Sequence, residues 1–333
     1  MKRSRLALYS FLLTLVVWLV ISWPLPRLMN QGIAVGIMKR TDANTAIVNM
    51  MPGEHLQFLY YMWIFSDYLT GGTPFFYNLY EFNTGSDAER YRPGSYYFPF
   101  SLVFSAFHQL ANRALSWNLL CFLVLWMSCY ATWRLCRRYT DRDRIAAVGA
   151  LLALLFPYQW IQLFGGSPAG FGMTLVPILL LGLDRAVRDD RVAGGWIAGL
   201  ALLAASMTDT HAFFFSALLT PCWCLVAFTQ RPDFQWKSVR AYARVALSLS
   251  PILLLTTLAY LQAQLGTRHI KRSASGEGRT MAEVALHSPR PDGLWSWTAG
   301  GTSYHAFLGY LITGLLLVGL LLLLIRAVRR RST

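Results

Sequence analysis

Residues 96–110 read Tyr96-Tyr97-Phe98-Pro99-Phe100-Ser101-Leu102-Val103-Phe104-Ser105-Ala106-Phe107-His108-Gln109-Leu110. Whether this apolar run crosses a bilayer decides the topology of the whole chain. As a helix the run is roughly 22 Å long, short of a hydrocarbon core about 30 Å thick. Pro99 near its start and His108 near its end shorten the apolar part further. The run is therefore read as a helix lying at the membrane interface. Read as a crossing, it would invert the sidedness of every loop that follows.

The rest of the chain supplies the test. Apolar runs at 6–23, 115–135, 145–164, 170–187, 193–208, 212–229, 243–261 and 305–325 predict eight spans. With these spans, 19 of the 30 Lys and Arg residues fall on one side in short segments: the N-terminus, 134–144, 185–191, 231–244 and the tail from Arg326. The other 11 lie in two long loops, 24–114 and 262–304, and the short loops 165–169 and 209–211 on that side carry none. Short loops set orientation and long loops translocate largely regardless of charge. Both termini are therefore expected in the cytoplasm and both long loops outside, in a multi-pass protein of the cell (inner) membrane. A second crossing at 96–110 would destroy this pattern.

Composition agrees. The 333 residues are 55% hydrophobic and 14% charged, well below the charged share of soluble domains. The net charge of +14 then reflects loop sidedness rather than a nucleic-acid surface, and no nucleic-acid partner is expected. The first segment has a basic start and an apolar core but no small-residue cleavage site before Trp23-Pro24, so an uncleaved first helix is expected. The cysteines Cys121, Cys129, Cys136, Cys222 and Cys224 lie in or at the ends of spans and read as packed or lipid-facing thiols. Cys222-Trp223-Cys224 lacks the spacing of a redox or zinc pair. The expected fold class is an all-α polytopic membrane protein. It forms one transmembrane domain over 1–333, with about eight transmembrane helices and a long outer first loop that contains juxtamembrane helices.

That first loop carries six acidic residues: Asp42, Glu54, Asp67, Glu81, Asp87 and Glu89. Loops of this length without structure or function are uncommon. Residues 54–70 are read as an aromatic helix with apolar residues at 56, 59, 60, 63 and 64, suited to the interface. Gly71-Gly72-Thr73-Pro74 ends it. The second long loop opens on a basic cluster, Arg268, His269, Lys271 and Arg272. The cluster reads either as a solvated face or as an anion site.

The stretch Gly53-Glu54-His55 through the aromatic helix to Gly71-Gly72-Thr73-Pro74-Phe75-Phe76-Tyr77-Asn78 resembles the first outer loop of GT-C-type membrane glycosyltransferases. There an acidic residue precedes an aromatic helix and a Gly-x-x-Pro-Phe turn. The order of helices and loops is similar over nearly the whole chain, though the chain is shorter than most of that superfamily.

The resemblance implies transfer of a sugar from a polyprenyl-phosphate donor to an acceptor at the outer face of the membrane. An acceptor hydroxyl needs a carboxylate as general base or as a ligand for a divalent cation such as Mg or Mn. Glu54 and Asp42 are the two positions that match the family's essential acid, and Glu81, Asp87 and Glu89 are further carboxylates. His55 is a base or an orienting group. Arg90, Arg92, Arg268, Lys271 and Arg272 are candidate partners of the departing phosphate. The family's second acid, in the loop after the third helix, has no counterpart in Phe164-Gly165-Gly166-Ser167-Pro168-Ala169. Asp209-Thr210-His211 at the next outer turn either compensates or forms a helix-end pair. A catalytically inactive scaffold or glycolipid-binding partner protein is the alternative. A transporter fits less well, because the spans carry almost no interior charge and no mirrored broken helices.

Overall fold

The computed structural model describes residues 3–33, 38–39, 49–50, 54–80, 90–91, 94–164, 166–231 and 238–267, with seven further positions between 314 and 325. The chain divides into two compact units, Met1–His269 and Ile270–Thr333. In the second unit the seven described positions are helical and fall inside the expected eighth span. The first unit is a helical bundle, with one two-residue antiparallel pairing, β1 (Met38–Lys39) with β2 (Asn49–Met50).

Its helices, in order, are α1 (Arg3–Ile21), α2 (Glu54–Thr70), α3 (Phe100–His108), α4 (Arg113–Cys136), α5 (Asp143–Leu154), α6 (Pro157–Phe164), α7 (Pro168–Gly172), α8 (Leu175–Asp189), α9 (Val192–Thr208), α10 (Thr210–Thr229) and α11 (Val239–Thr267). Local chemistry fixes several of these ends. The Asn112 side chain accepts from Leu115 N and caps α4. Ser167 caps α7, with Pro168 in its first turn. Asp190 closes α8 in the left-handed region at φ 54°. Pro157 cannot donate the hydrogen bond that would continue α5 into α6, and the two meet at a 42° bend. The Leu154 carbonyl at this break accepts instead from Trp160 Nε1 at 2.6 Å.

Five stretches are long and apolar enough to cross a bilayer: Ser4–Ile21, Arg113–Cys136, Pro168–Asp189, Thr210–Thr229 and Val239–Leu261. The bent pair α5–α6 makes a sixth, and α9 is apolar but only 17 residues long. Large apolar side chains on the outer faces of α1, α10 and α11 are exposed, among them Val20, Phe215, Leu218, Leu247 and Leu253. Such continuous apolar surface suits lipid and not water. The chain is a helical, multi-pass membrane protein. Helix α3, only nine residues, is roughly 14 Å long, too short to span, as the reading of 96–110 required.

Two packing devices hold the bundle. Aromatic edges join α1 to α4, with Phe11 on Phe122 and Trp126 at 5.3 and 5.6 Å and Trp18 on Phe122 at 5.8 Å. Glycines bring α9 against both α8 and α11. A Cβ on Gly194 would lie 2.4 Å from Ala186 N, and one on Gly182 would lie 2.6 Å from Ala198 N. On the other face of α9, Gly195 lies against Ser248 and Pro251, and Gly199 against Pro251 and Leu255. Lipid tails are as apolar as leucine, so close backbone approach and dispersion carry such contacts in a membrane.

The two ends of the bundle differ in chemistry. At one, Arg138 pairs with Asp184 and, at 2.7 Å, with Asp189. Arg231 holds Asp190 through two hydrogen bonds of 2.6 and 2.9 Å, Arg244 reaches Asp190 at 3.1 Å, and Arg137 meets Asp143 at 2.8 Å. This charged end joins the C-termini of α4, α8 and α10 to the starts of α5 and α11. The opposite end is aromatic.

Candidate functional site at the aromatic end

Helix α2 is the centre of the aromatic end. Its helical reading rested on apolar residues at 56, 59, 60, 63 and 64. Of these Ile64 is deeply buried, whereas Leu59, Tyr60 and Trp63 are only half-buried. The other deeply buried positions are Phe58, Met62, Ser66 and Tyr68. The reason is that α2 is apolar nearly all round and serves two surfaces at once. Phe58 and Met62 enter the main core, while Ile64 and Tyr68 pack with Tyr96 in a separate aromatic cluster.

That cluster is a lobe built from 71–80, 90–91 and 94–99. Asp67 organises its first turn: its carboxylate accepts from Thr73 Oγ1 and, at 3.2 Å, from Tyr80 Oη. Gly71 sits at φ +79°, and a Cβ on Gly72 would overlap the Asp67 carboxylate, so the double glycine is a steric requirement of this turn. Tyr60 Oη donates to Asn78 Oδ1 at 2.5 Å, and Asn78 N donates to the Arg90 carbonyl at 2.9 Å. Tyr68 Oη lies 2.9 Å from the Tyr77 carbonyl and 3.1 Å from Tyr96 Oη. Burial, and then the bond to Tyr96, push the Tyr68 phenol well above its ordinary range. Sequence reading had left Asp67 without a role. The turn it holds is the Gly-x-x-Pro-Phe segment itself.

The lobe is docked on the bundle. Ser95 Oγ donates to the Met207 carbonyl at 2.6 Å, and Thr208 Oγ1 lies 3.3 Å from the Phe98 carbonyl. Below it, the Phe58 ring meets Tyr97 at 4.2 Å, Phe171 at 4.8 Å and Trp117 at 5.5 Å. Phe171 belongs to α7. On the other side of α7, Gly172 leaves no room for a side chain, since a Cβ there would lie 2.5 Å from Ala212 Cβ and 3.6 Å from Asp209 Cβ.

The five-residue helix α7 therefore lies between Phe58 of α2 and the Asp209 turn. Glu54 and His55 open α2, four and three residues before Phe58. Asp209 stands beyond Gly172. Its Oδ1 caps α10 by accepting from Ala212 N at 2.6 Å, and its Oδ2 lies 3.9 Å from Nδ1 of the exposed His211. The helix-end reading of Asp209 and His211 thus has direct geometric support. Arg90 is half-buried in the lobe, where its carbonyl accepts from Asn78 N. Asp42, Glu81, Asp87, Glu89, Arg92, Arg268, Lys271 and Arg272 lie outside the described residues, as do the side chains of Glu54 and His55.

Among the described residues no three His, Cys, Asp or Glu side chains gather as a metal site. Asp209, with one oxygen committed to a helix cap, has no second acid beside it among them. A cavity of about 300 Å³ lies beside the α5–α6 bend, lined by Ser128, Thr132, Phe156, Gln159, Val176 and Leu180. It is apolar and holds no ionisable group. Nearby, Gln159 Nε2 donates to Thr174 Oγ1 at 3.1 Å, and Thr174 Oγ1 in turn donates to the Val124 carbonyl at 3.1 Å. No protein-family model, curated protein or solved structure matches this chain.

Proposed function

We propose that the chain is a membrane glycosyltransferase of GT-C type, moving a sugar from a polyprenyl-phosphate donor to an acceptor at its aromatic end. In this reading the aromatic end faces outward and the charged end faces the cytoplasm. The observation that supports it best is the convergence on α7. Phe58 of α2, four residues after Glu54, and the Asp209–His211 turn both meet the same short helix although they are remote in sequence. Glu54 takes the role of general base toward the acceptor hydroxyl, with Asp42 as the other candidate. The aromatic lobe provides stacking surfaces for sugar rings at the depth where a prenyl phosphate sits.

The test uses membranes containing the full chain, supplied with polyprenyl-phosphate-linked hexoses. Replacing a general base lowers turnover by roughly 100-fold or more. Glu54→Gln or Asp42→Asn is expected to show that loss while the protein still inserts. Full transfer by both variants removes the enzyme reading and leaves a non-catalytic, glycolipid-binding member of the same architecture. Uptake driven by an ion gradient would point to transport instead.

A further inference from the structure

The bundle treats the arginines at its two ends differently. At the charged end Arg137, Arg138, Arg231 and Arg244 each face an aspartate. At the aromatic end Arg27 and Arg113 lie over Trp23 and Trp63, each guanidinium carbon 4.5 Å from the ring centroid. Both arginines are exposed, and among the described residues neither has a carboxylate partner. A guanidinium stacked on an indole keeps its planar fork of N–H donors free for an oxyanion.

Two further observations place these groups. The apolar stretch Ser4–Ile21 rises about 27 Å, close to the thickness of a hydrocarbon core, so Trp23 and Arg27 stand at headgroup depth. Arg113 opens α4, and the neighbouring Asn112 donates to the Asn30 carbonyl at 2.7 Å. Asn118, one turn further, donates to the carbonyls of Met29 and Gly32 at 2.9 and 2.8 Å. The turn that carries Arg27 is thus tied to the helix start that carries Arg113.

We propose that Arg27 on Trp23 and Arg113 on Trp63 bind the phosphate of an anionic bilayer phospholipid. Its acyl chains lie along the exposed apolar face of α1, where Val16 and Val20 are uncovered. Charge complementarity selects this ligand: two exposed cations with no carboxylate partner among the described residues flank the end of an apolar helix face. The proposal needs neither Glu54 nor a sugar donor, so it stands or falls separately from the transferase reading.

The test is lipid retention by the full chain in phosphatidylcholine nanodiscs that contain about a tenth phosphatidylglycerol, read by native mass spectrometry. The wild-type chain is expected to retain phosphatidylglycerol. Arg27→Ala/Arg113→Ala is expected to lose about tenfold of that retention, the equivalent of roughly 1.4 kcal/mol. Arg240→Ala, an exposed change at the other end, is expected to match wild type. Equal retention by the double variant and wild type overturns the proposal. Salt provides a measurement that needs no variant. Wild-type retention must fall between about 50 and 500 mM salt, and indifference to salt is equally fatal. A final arm adds polyprenyl phosphate to neutral discs. If these arginines hold it while ignoring phosphatidylglycerol, the site belongs to the donor and the assignment to bilayer phospholipid is wrong.

Discussion

Asp184 has no exposed surface, yet it carries a carboxylate. Its tolerance depends on two partners from another part of the chain: Arg138, and Tyr139, whose hydroxyl donates to it at 2.6 Å. Arg188 completes the group by donating to the Arg138 carbonyl at 2.6 Å. Removing one member of a buried pair leaves an uncompensated charge, which costs about 3–5 kcal/mol. Arg138→Met is therefore expected to lower the thermal midpoint in detergent sharply. Arg138→Met with Asp184→Leu should recover most of the loss, because the orphaned carboxylate is gone. A double variant no more stable than the single would refute this account. Sequence reading counted the arginines of 134–144 as a topology signal and gave the aspartates at 184, 189 and 190 no role. Which aspartate meets which arginine depends on contacts between helices far apart in the chain, and no local spacing announces them. The visible hint was the run of acids at 184, 189 and 190, between two arginine-rich segments.

Helix α9 shows what a composition can and cannot tell. Sequence reading gave its Gly194-Gly195 and Gly199 no role. In the fold they are the positions where α8 and α11 approach its backbone. Gly194→Ala places a methyl against the backbone at Ala186, which cannot yield as a side-chain tip could. Overpacking of this kind costs about 1–3 kcal/mol. The expected result is a lower unfolding midpoint for Gly194→Ala. Gly314→Ala, where nothing lies within 4 Å of an added methyl, should leave it unchanged. Elsewhere, element reading was close. The helix expected over 54–70 is α2, and the run at 96–110 contains the short α3. The protein-facing side of α2 was not read, because a helix that is apolar on most sides does not reveal which side meets protein. The bend in the third span also escaped notice, although Phe156-Pro157 marks it.

Across the whole molecule, tyrosines outside the spans anchor both ends. Tyr68 in the aromatic lobe and Tyr139 at the charged end are both held above the ordinary tyrosine range, first by burial and then by a hydrogen bond, to Tyr96 and Asp184 respectively. A raised folded-state value means that this contribution is intact below the unfolded value near pH 10 and is lost as pH climbs beyond it. The thermal midpoint is expected to be insensitive to these groups at neutral pH and to fall above about pH 10. Tyr68→Phe, which has no phenol to ionise, should blunt that fall. An alkaline profile identical in the variant would rule Tyr68 out as a contributor. The global picture, a helical multi-pass membrane protein, was legible to the extent that it rests on apolar length. The site was less legible, because the contacts that α7 makes to Phe58 and to the Asp209 turn run through rings and a glycine that no motif predicts.

The enclosure of α9 also has a consequence in time. Its first partner, α8, precedes it in the chain, but its second, α11, is made only after α10. While the chain is still being synthesised, the Gly195–Gly199 face of α9 has no protein against it. The arrival of α11 closes that face, so the final packing of α9 waits on a segment not yet translated when α9 itself is made.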